Sequence, residues 1–480
     1  MFTSDMPFTF KEYITYKETE RFLDSLIFSR PIPHFAPQKS SQPVRKNPLG
    51  TERIVSLLDV AGKPHLDNKY IHITGTSGKS STSYIMSSLL QAQRYRTGLF
   101  ISPHITTVAE HMQVNGLFPS FGELMVLVER FKPLIDMEYE QNELGMISRF
   151  ELLVVLALEY FSQQQTDYVV LEVGVGGRYD ATNAVESAEV CVITNIGLDH
   201  MHILGDSLEE IAQDKIGILK PGSPLVTAEQ RPELLAIFRK EAEVFDAEVE
   251  VLGRDFHVEA VRAEADRTVF HYHSPAHRYH DVSLSTCGIY QAHNAALAIR
   301  SLELISEKNG QEIDEGALRT GLQQVRLPVR YEQVNDDPVV ILDGAHNPDK
   351  IRSFVSYIQQ RFALDEIIFV CGFTTGKKPR KMLASLLEAG RNFFLTRVMT
   401  PHRAYEEPYH LKQLLESLNP SAEITIKLDP LQALDVAVEQ AREQGKIVCV
   451  TGSLYLAGHL RQRWYPEYEM LQQRHLFPEL

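Results

Sequence analysis

The run Lys69-Tyr70-Ile71-His72-Ile73-Thr74-Gly75-Thr76-Ser77-Gly78-Lys79-Ser80-Ser81-Thr82 decides how this chain is read. Lys69–Ile73 has the apolar character of a buried strand, and Tyr84-Ile85-Met86-Ser87-Ser88-Leu89-Leu90 is compatible with a helix. Between them lies a loop bracketed by Gly75 and Gly78 and closed by Lys79 and two serines. A phosphate cradle needs this order. Glycines let backbone N–H groups turn toward an anion, and the helix N-terminus adds partial positive charge. A lysine reaches the terminal phosphates, and a hydroxyl after it can ligate Mg²⁺. Only two residues separate the glycines, fewer than in the standard P-loop pattern, so the flanking strand and helix are what raise the loop above a chance match. Gly75, Thr76, Ser77, Gly78, Lys79, Ser80 and Ser81 are the candidate nucleotide-binding residues.

The chain has 480 residues, too many for one ordinary domain. Hydrophobic content of 44% and charged content of 23% are those of a globular protein, and no apolar stretch approaches the roughly 20 residues of a membrane span. The net charge of −15, from 48 basic and 63 acidic residues, argues against a nucleic-acid partner. It leaves anionic small substrates open, because local loops and metal ions override the global field. The start, Met1-Phe2-Thr3-Ser4-Asp5-Met6, has no basic region followed by an apolar core, so no signal peptide is expected. Cys191, Cys287, Cys371 and Cys449 lack metal-ligand spacing and read as buried reduced thiols, which makes a cytoplasmic location the expectation.

Residues 1–50 read as an extension. Glu18 to Phe28 has the pattern of an amphipathic helix, while Pro31-Ile32-Pro33 and Ala36 to Pro43 read as irregular chain. From Thr51 strands and helices alternate, which predicts a mostly parallel sheet with helices on both faces. Tyr168–Val173 and Val190–Asn195 are buried strand candidates, and Phe150–Phe161 is a helix. Residues 248–286 switch to short alternating runs, a small β-rich insertion. After Leu327-Pro328 a second α/β series begins, with strands at Val339–Leu342, Ile367–Val370 and Ile447–Val450. The expected organisation is an extension (1–50), a P-loop-type α/β domain (51–326) and a smaller Rossmann-like α/β domain (327–480).

Open α/β sheets place ligands at the carboxyl ends of their strands, and several polar segments fall there. Glu172 ends a strand and is followed by Gly174-Val175-Gly176-Gly177 and Asp180. A glutamate near a phosphate loop suits Mg²⁺, and the glycines permit close approach of a ligand. Their spacing is wrong for a dinucleotide fingerprint. His200, beside Asp199 at the next strand end, is a metal ligand, an acid/base or a surface histidine. Lys215 taken by itself reads as a solvated lysine at a helix end. Asp343-Gly344-Ala345-His346-Asn347-Pro348 either presents polar groups to a ligand or is an Asx-type turn that only reverses the chain.

Together these segments resemble the folylpolyglutamate synthase/dihydrofolate synthase family of the Mur ligase superfamily. The resemblance starts at Gly50–Leu58 and continues through the loop, Ser102-Pro103-His104-Ile105, Val114-Asn115-Gly116 and Phe150–Leu153. It then runs through Leu171–Asn183, Ile196–His200, Gln291–Ala296, Asp343–Pro348 and Val450–Tyr455. It implies an ATP-dependent, ADP-forming ligase in which an acceptor carboxylate becomes an acyl phosphate and the amine of L-glutamate attacks it. It further implies that Lys79 holds the β/γ-phosphates, that Ser81, Glu172 and His200 hold two Mg²⁺ ions, and that K⁺ takes part. Lys215 corresponds to a lysine carbamylated in the superfamily, and with Lys79 and His200 it forms the implied catalytic set. Asn294 would contact adenine, and Arg330, Asp343 and His346 would approach the nucleotide from the second domain. Ser102 and Asp180 match positions near a pteroate or folate acceptor. A monomer acting on small molecules, with no nucleic-acid or membrane partner, completes the expectation.

The departures concern the acceptor more than the nucleotide. The family loop GTNGKGS has Ser77 in place of Asn and Ser80 in place of Gly, so either Ser80 or Ser81 could reach Mg²⁺. The interdomain Pro-Gly-Arg becomes Pro328-Val329-Arg330, and an Asp-Lys-Asp becomes Lys377-Lys378-Pro379. The arginine before Asn115-Gly116 is absent, with His111 and Met112 nearby. The competing readings are a ligase of the same mechanism with another acceptor or amine, and a P-loop ATPase without ligation.

Overall fold

The computed structural model describes residues 9–28, 51–141, 144–264, 266–400 and 404–479. The Pro31–Pro33 and Ala36–Pro43 stretches and Gly50 lie outside the described residues.

The first sheet contains β1 (Lys69–Thr74), β2 (Thr97–Phe100), β3 (Met112–Val114), β4 (Tyr168–Glu172), β5 (Val190–Ile193), β6 (Leu225–Thr227) and β7 (Val249–Val251). Their order is β3-β2-β4-β1-β5-β6-β7. All neighbours are parallel except β2 and β3. The near-continuous apolar runs follow from this: with helices on both faces, alternate residues of one strand enter two different cores. On β4, Val169 and Leu171 enter one core while Tyr168 and Val170 enter the other. The chain leaves β1 toward β2 on one side, and leaves β4 for β5 on the other. The loop after β1 therefore lies where connections diverge, the place where a crevice opens.

The run 248–286 divides between two sheets. Val249–Val251 joins the large sheet as β7, and β8 (His257–Ala263), β9 (Thr268–His273) and β10 (Arg278–Leu284) form an antiparallel sheet of their own. The third sheet contains β11 (Glu332–Asp336), β12 (Val339–Leu342), β13 (Ile367–Cys371), β14 (Asn392–Leu395), β15 (Glu423–Ile426) and β16 (Ile447–Thr451), in the order β11-β12-β16-β13-β14-β15. Apart from the antiparallel β11–β12 edge it is parallel, again with two cores. This is the α/β architecture of two mostly parallel sheets that the alternation predicts. The four cysteines are buried and unbonded to one another, as expected. No described helix is long and apolar enough to cross a membrane.

The helix expected over Glu18–Phe28 begins earlier, at Phe10. It packs on the first half of the molecule: Tyr16 is buried with its hydroxyl against that of Thr107, and Arg149 pairs with Asp24. It also meets the end of the chain, where Glu467 accepts from Lys17 and Tyr13. The final segment returns to the first half too. Phe118 and Arg474 exchange hydrogen bonds of 2.8 and 2.7 Å, and Arg474 pairs with Glu123.

Candidate active site

The glycine loop is held open by its neighbours. The backbone of Gly75 has φ +145°, and a Cβ there would fall 1.8 Å from the Thr194 hydroxyl, so only glycine fits. That hydroxyl donates to the Ser77 carbonyl at 2.6 Å. Asn195 accepts from the Ser77 N–H at 2.9 Å through its side chain and from the Thr76 N–H at 2.9 Å through its carbonyl. The segment after β5 thus shapes the loop from behind. Gly78, at φ +89°, caps the helix Lys79–Ala92, and a Cβ on it would meet Asn294 Oδ1 at 2.5 Å. Asn294, expected to contact adenine, is therefore packed directly on the loop.

Gly75, Thr76 and Lys79 line one cavity with Gly174, Val175, Gly176, Asp199, His200, Leu204 and Lys215. Lys79 and Lys215 both donate to the Gly75 carbonyl at 3.0 Å, so two ammonium groups meet on one acceptor. Lys215 is 3% exposed, which corrects the solvated helix-end reading. Its helix, Leu208–Lys215, starts with a Ser207/Glu210 capping box and ends against Gly177, where a Cβ would lie 2.7 Å from the Lys215 carbonyl. Burial, reinforced by the Lys79 charge, pushes the Lys215 pKa down to about 7.

Glu172 is buried at the end of β4. It accepts from Ser80 Oγ at 2.8 Å and from the Ser102 N–H at 3.2 Å. Ser80, rather than the buried Ser81, is the serine in contact with it. Burial raises the Glu172 pKa, against the pull of the Lys79 ammonium and, more weakly, of Arg330. His200 has φ +50° and is half-buried; burial pushes its pKa down to about 4 despite Asp199, with Lys79 and Lys377 acting the same way. Glu172 and His200 thus flank Lys79. Among the described residues no three His, Cys, Asp or Glu side chains cluster as a metal site. A buried carboxylate, a neutral imidazole and a serine hydroxyl nevertheless suit Mg²⁺, which takes few protein ligands and completes its shell with water and phosphate oxygens.

Asp180 sits beside this cavity, but its carboxylate is engaged locally. It accepts from Val175 N, Thr182 N and Thr182 Oγ1 at 2.9, 3.0 and 2.7 Å, which fold the loop after β4. Ser102 borders Glu172 through its backbone.

The second half brings further charged and polar groups within electrostatic reach of these residues. Asp343 is buried and accepts from Tyr331 N and Ala345 N at 2.9 and 2.8 Å, which shapes the turn carrying His346 and brings Arg330 alongside. Burial raises the Asp343 pKa, Arg330 opposing it. His346 bonds through Nδ1 to the Gly344 carbonyl at 2.8 Å and through Nε2 to Lys350 at 3.3 Å. Burial holds its imidazole neutral. Lys350 and Lys377 lie within electrostatic reach of Asp199, and Arg330 within reach of Glu172, so the two halves face each other across one cleft. Sequence reading missed Lys350. The available signal was its place just after the Asp343–Pro348 turn, in the first turn of the helix Pro348–Ile358.

Comparisons with known proteins bear on the fold and the family. The model of the Mur ligase middle domain matches residues 73–302, and that of the dihydrofolate synthetase C-terminal domain matches residues 323–463. A parallel sheet carrying the glycine loop, opposed by a second α/β layer, is the build of a Mur-type ligase. The chain is 35% identical over 421 residues to the dihydrofolate synthase/folylpolyglutamate synthase of Bacillus subtilis (strain 168), covering 86% of this chain and 94% of that protein. It superposes on the Mycobacterium tuberculosis folylpolyglutamate synthase complexed with ADP and AMPPCP with a TM-score of 0.83 at 27% identity, over 94% of this chain and 99% of that one. It superposes likewise on an FPGS–AMPPCP–folate complex, with a TM-score of 0.76 at 27% identity, over 93% and 99%. The chain belongs to the folylpolyglutamate synthase/dihydrofolate synthase family.

Proposed function

We propose that the protein is an ATP-dependent ligase that joins L-glutamate to the carboxylate of a pteroate or folate, forming ADP and phosphate. The observation that carries this reading is the convergence of Lys79, Glu172, His200 and Lys215 from one half with Arg330 and His346 from the other. The acceptor carboxylate attacks the γ-phosphorus of ATP, ADP leaves, and an acyl phosphate remains. The glutamate amine then attacks the acyl carbon, phosphate leaves, and the amide forms. Phosphoryl transfer depends mainly on positioning and charge neutralisation. Lys79 and the N-terminus of the helix Lys79–Ala92 supply these to the phosphates, and Asn294 borders the nucleotide. Ser80 or Ser81, Glu172 and His200 would hold Mg²⁺, which supplies further neutralisation of phosphate charge. The neutral form of Lys215, abundant at a pKa of about 7, is the form that adds CO₂ to give a carbamate and a proton. That carbamate would turn a crowded cation into an anionic acceptor beside the cavity. Ser102 and Asp180 place the acceptor beside Glu172 and the Gly174–Gly177 loop, the aspartate through the turn it folds. The second half, closing over the cleft, keeps water from the acyl phosphate.

The test is ADP formation by the purified protein with ATP, Mg²⁺, L-glutamate and a panel of pteroates and folates. The reading requires turnover that depends on both the acceptor and glutamate. ADP formation without an amine overturns it in favour of an ATPase, and turnover with another amine or acceptor alone overturns the substrate assignment.

A further inference from the structure

We propose that Lys350 binds a carboxylate of the incoming glutamate and so positions the amine-bearing substrate; this rests on the ligase reading above. Lys350 Nζ meets His346 Nε2, and among the described residues no carboxylate lies within ion-pair distance of it. The charges around it are mostly of its own sign: Arg330, Lys79 and Lys377 all disfavour its protonated form, and Asp199 opposes them. Burial and these neighbours push its pKa down to about 7. Lys350 also stands in the first turn of the helix Pro348–Ile358, whose Asn347 cap accepts from the Lys350 N–H. A cation there opposes the helix dipole. Among the described residues Asp199 is the acidic group that acts on Lys350 against these cations, and the lysine still stands at the positive end of a helix, an arrangement that a bound anion would relieve.

His346 fixes where that cation sits. The Nδ1–H donates to the Gly344 carbonyl, which leaves the Nε2 lone pair to accept from Lys350. The histidine is thereby a bracket for the ammonium group. The alternative anion is the triphosphate, but its cradle lies on the opposite half, where Gly75, Thr76, Lys79 and Lys215 line the cavity. Glutamate carries two carboxylates and must bring its amine to an acyl carbon within the cleft. The cations of the second half are matched to that need, and Lys350 is held in place by the neutral His346 imidazole.

The test is steady-state kinetics of Lys350→Met, Lys350→Gln and Lys350→Arg, with thermal melts of the nucleotide-free proteins to establish folding. Loss of one charge-assisted pair to substrate should raise the KM for glutamate about tenfold to a hundredfold in the Met and Gln variants. The KM for ATP should stay within about twofold, and Arg should recover part of the loss. L-Glutamine and L-isoglutamine each replace one carboxylate by an amide. The parent should reject the analogue lacking the bound carboxylate, and Lys350→Met should lose that discrimination. The Met variant should melt at a higher temperature than the parent, since one like charge has left the cluster. An unchanged KM for glutamate, or a KM for ATP that rises in step with it, overturns the proposal. A parent protein that makes no glutamate-dependent ADP overturns the ligase reading itself, a result the variants cannot mimic.

Discussion

Replacing Gly75 with alanine tests the nucleotide loop at its tightest point. The new Cβ would lie 1.8 Å from the Thr194 hydroxyl, whereas real Cβ atoms keep at least 3.0 Å, so the two must separate by about 1.2 Å. The hydroxyl cannot rotate away freely, because the Thr194 Cβ and N–H are themselves 3.0 and 3.1 Å from the same point. Moving it breaks its 2.6 Å bond to the Ser77 carbonyl, worth about 1 kcal/mol. Holding alanine at φ +145° adds a further ~1–3 kcal/mol. The sum is about 3 kcal/mol, and the loop can shed it only by leaving its phosphate-binding shape. Affinity for AMPPCP, measured by isothermal titration calorimetry, should therefore fall about a hundredfold. Gly222→Ala is the comparison. Its φ is +67° with nothing within 4 Å of the added Cβ, so it carries backbone strain alone and should leave nucleotide affinity intact. A Gly75→Ala protein that binds AMPPCP within threefold of the parent would refute the reasoning.

Two further outcomes follow from the lysines that share the Gly75 carbonyl. Lys79→Ala should lower kcat/KM for ATP by about a thousandfold or more in the ADP assay, since it removes a preorganised charge from the transferring phosphoryl group; activity within tenfold would count against the loop assignment. Lys215 has its folded pKa depressed from 10.5 to about 7. The unfolded chain therefore binds more protons between pH 7 and 10.5, and this lysine's destabilising contribution is full below pH 7 and fades as pH rises to 10.5. Lys215→Met should raise the melting temperature at pH 7, the gain shrinking toward pH 10. It should also lose ligase activity, and in Lys215→Ala short carboxylic acids should restore part of it. A pH-independent gain would refute the buried-amine assignment.

The parallel sheets were legible because their strands are apolar throughout, the mark of elements covered on both faces. The loop after β1 was legible for a different reason: glycines, lysine and hydroxyls in a fixed order carry their chemistry locally. Lys215 was not, because its burial comes from Gly177, far away in sequence, which lets two backbones touch. Val249–Val251 looked like part of the small antiparallel sheet, since a short alternating run does not say which edge it will join. The Asp343 turn left two readings open, because its residues do not say by themselves that the carboxylate accepts from Tyr331 N and Ala345 N and so folds the turn that carries His346. Lys350 escaped notice because an isolated lysine on a helix is ordinary until its neighbours are known to be cations.

The course of the chain's end has a mechanical consequence. The second half is entered through Val325–Tyr331 and left through a tail that Phe118, Glu123 and the Phe10–Phe28 helix tie back to the first. A body attached at two separated points keeps one easy motion, rotation about the line between them. Any opening of the cleft would accordingly be confined to a hinged swing on one axle, which would carry Arg330 and His346 along a single arc. Cutting the tail loose would leave a single tether, and the swing would become a wobble.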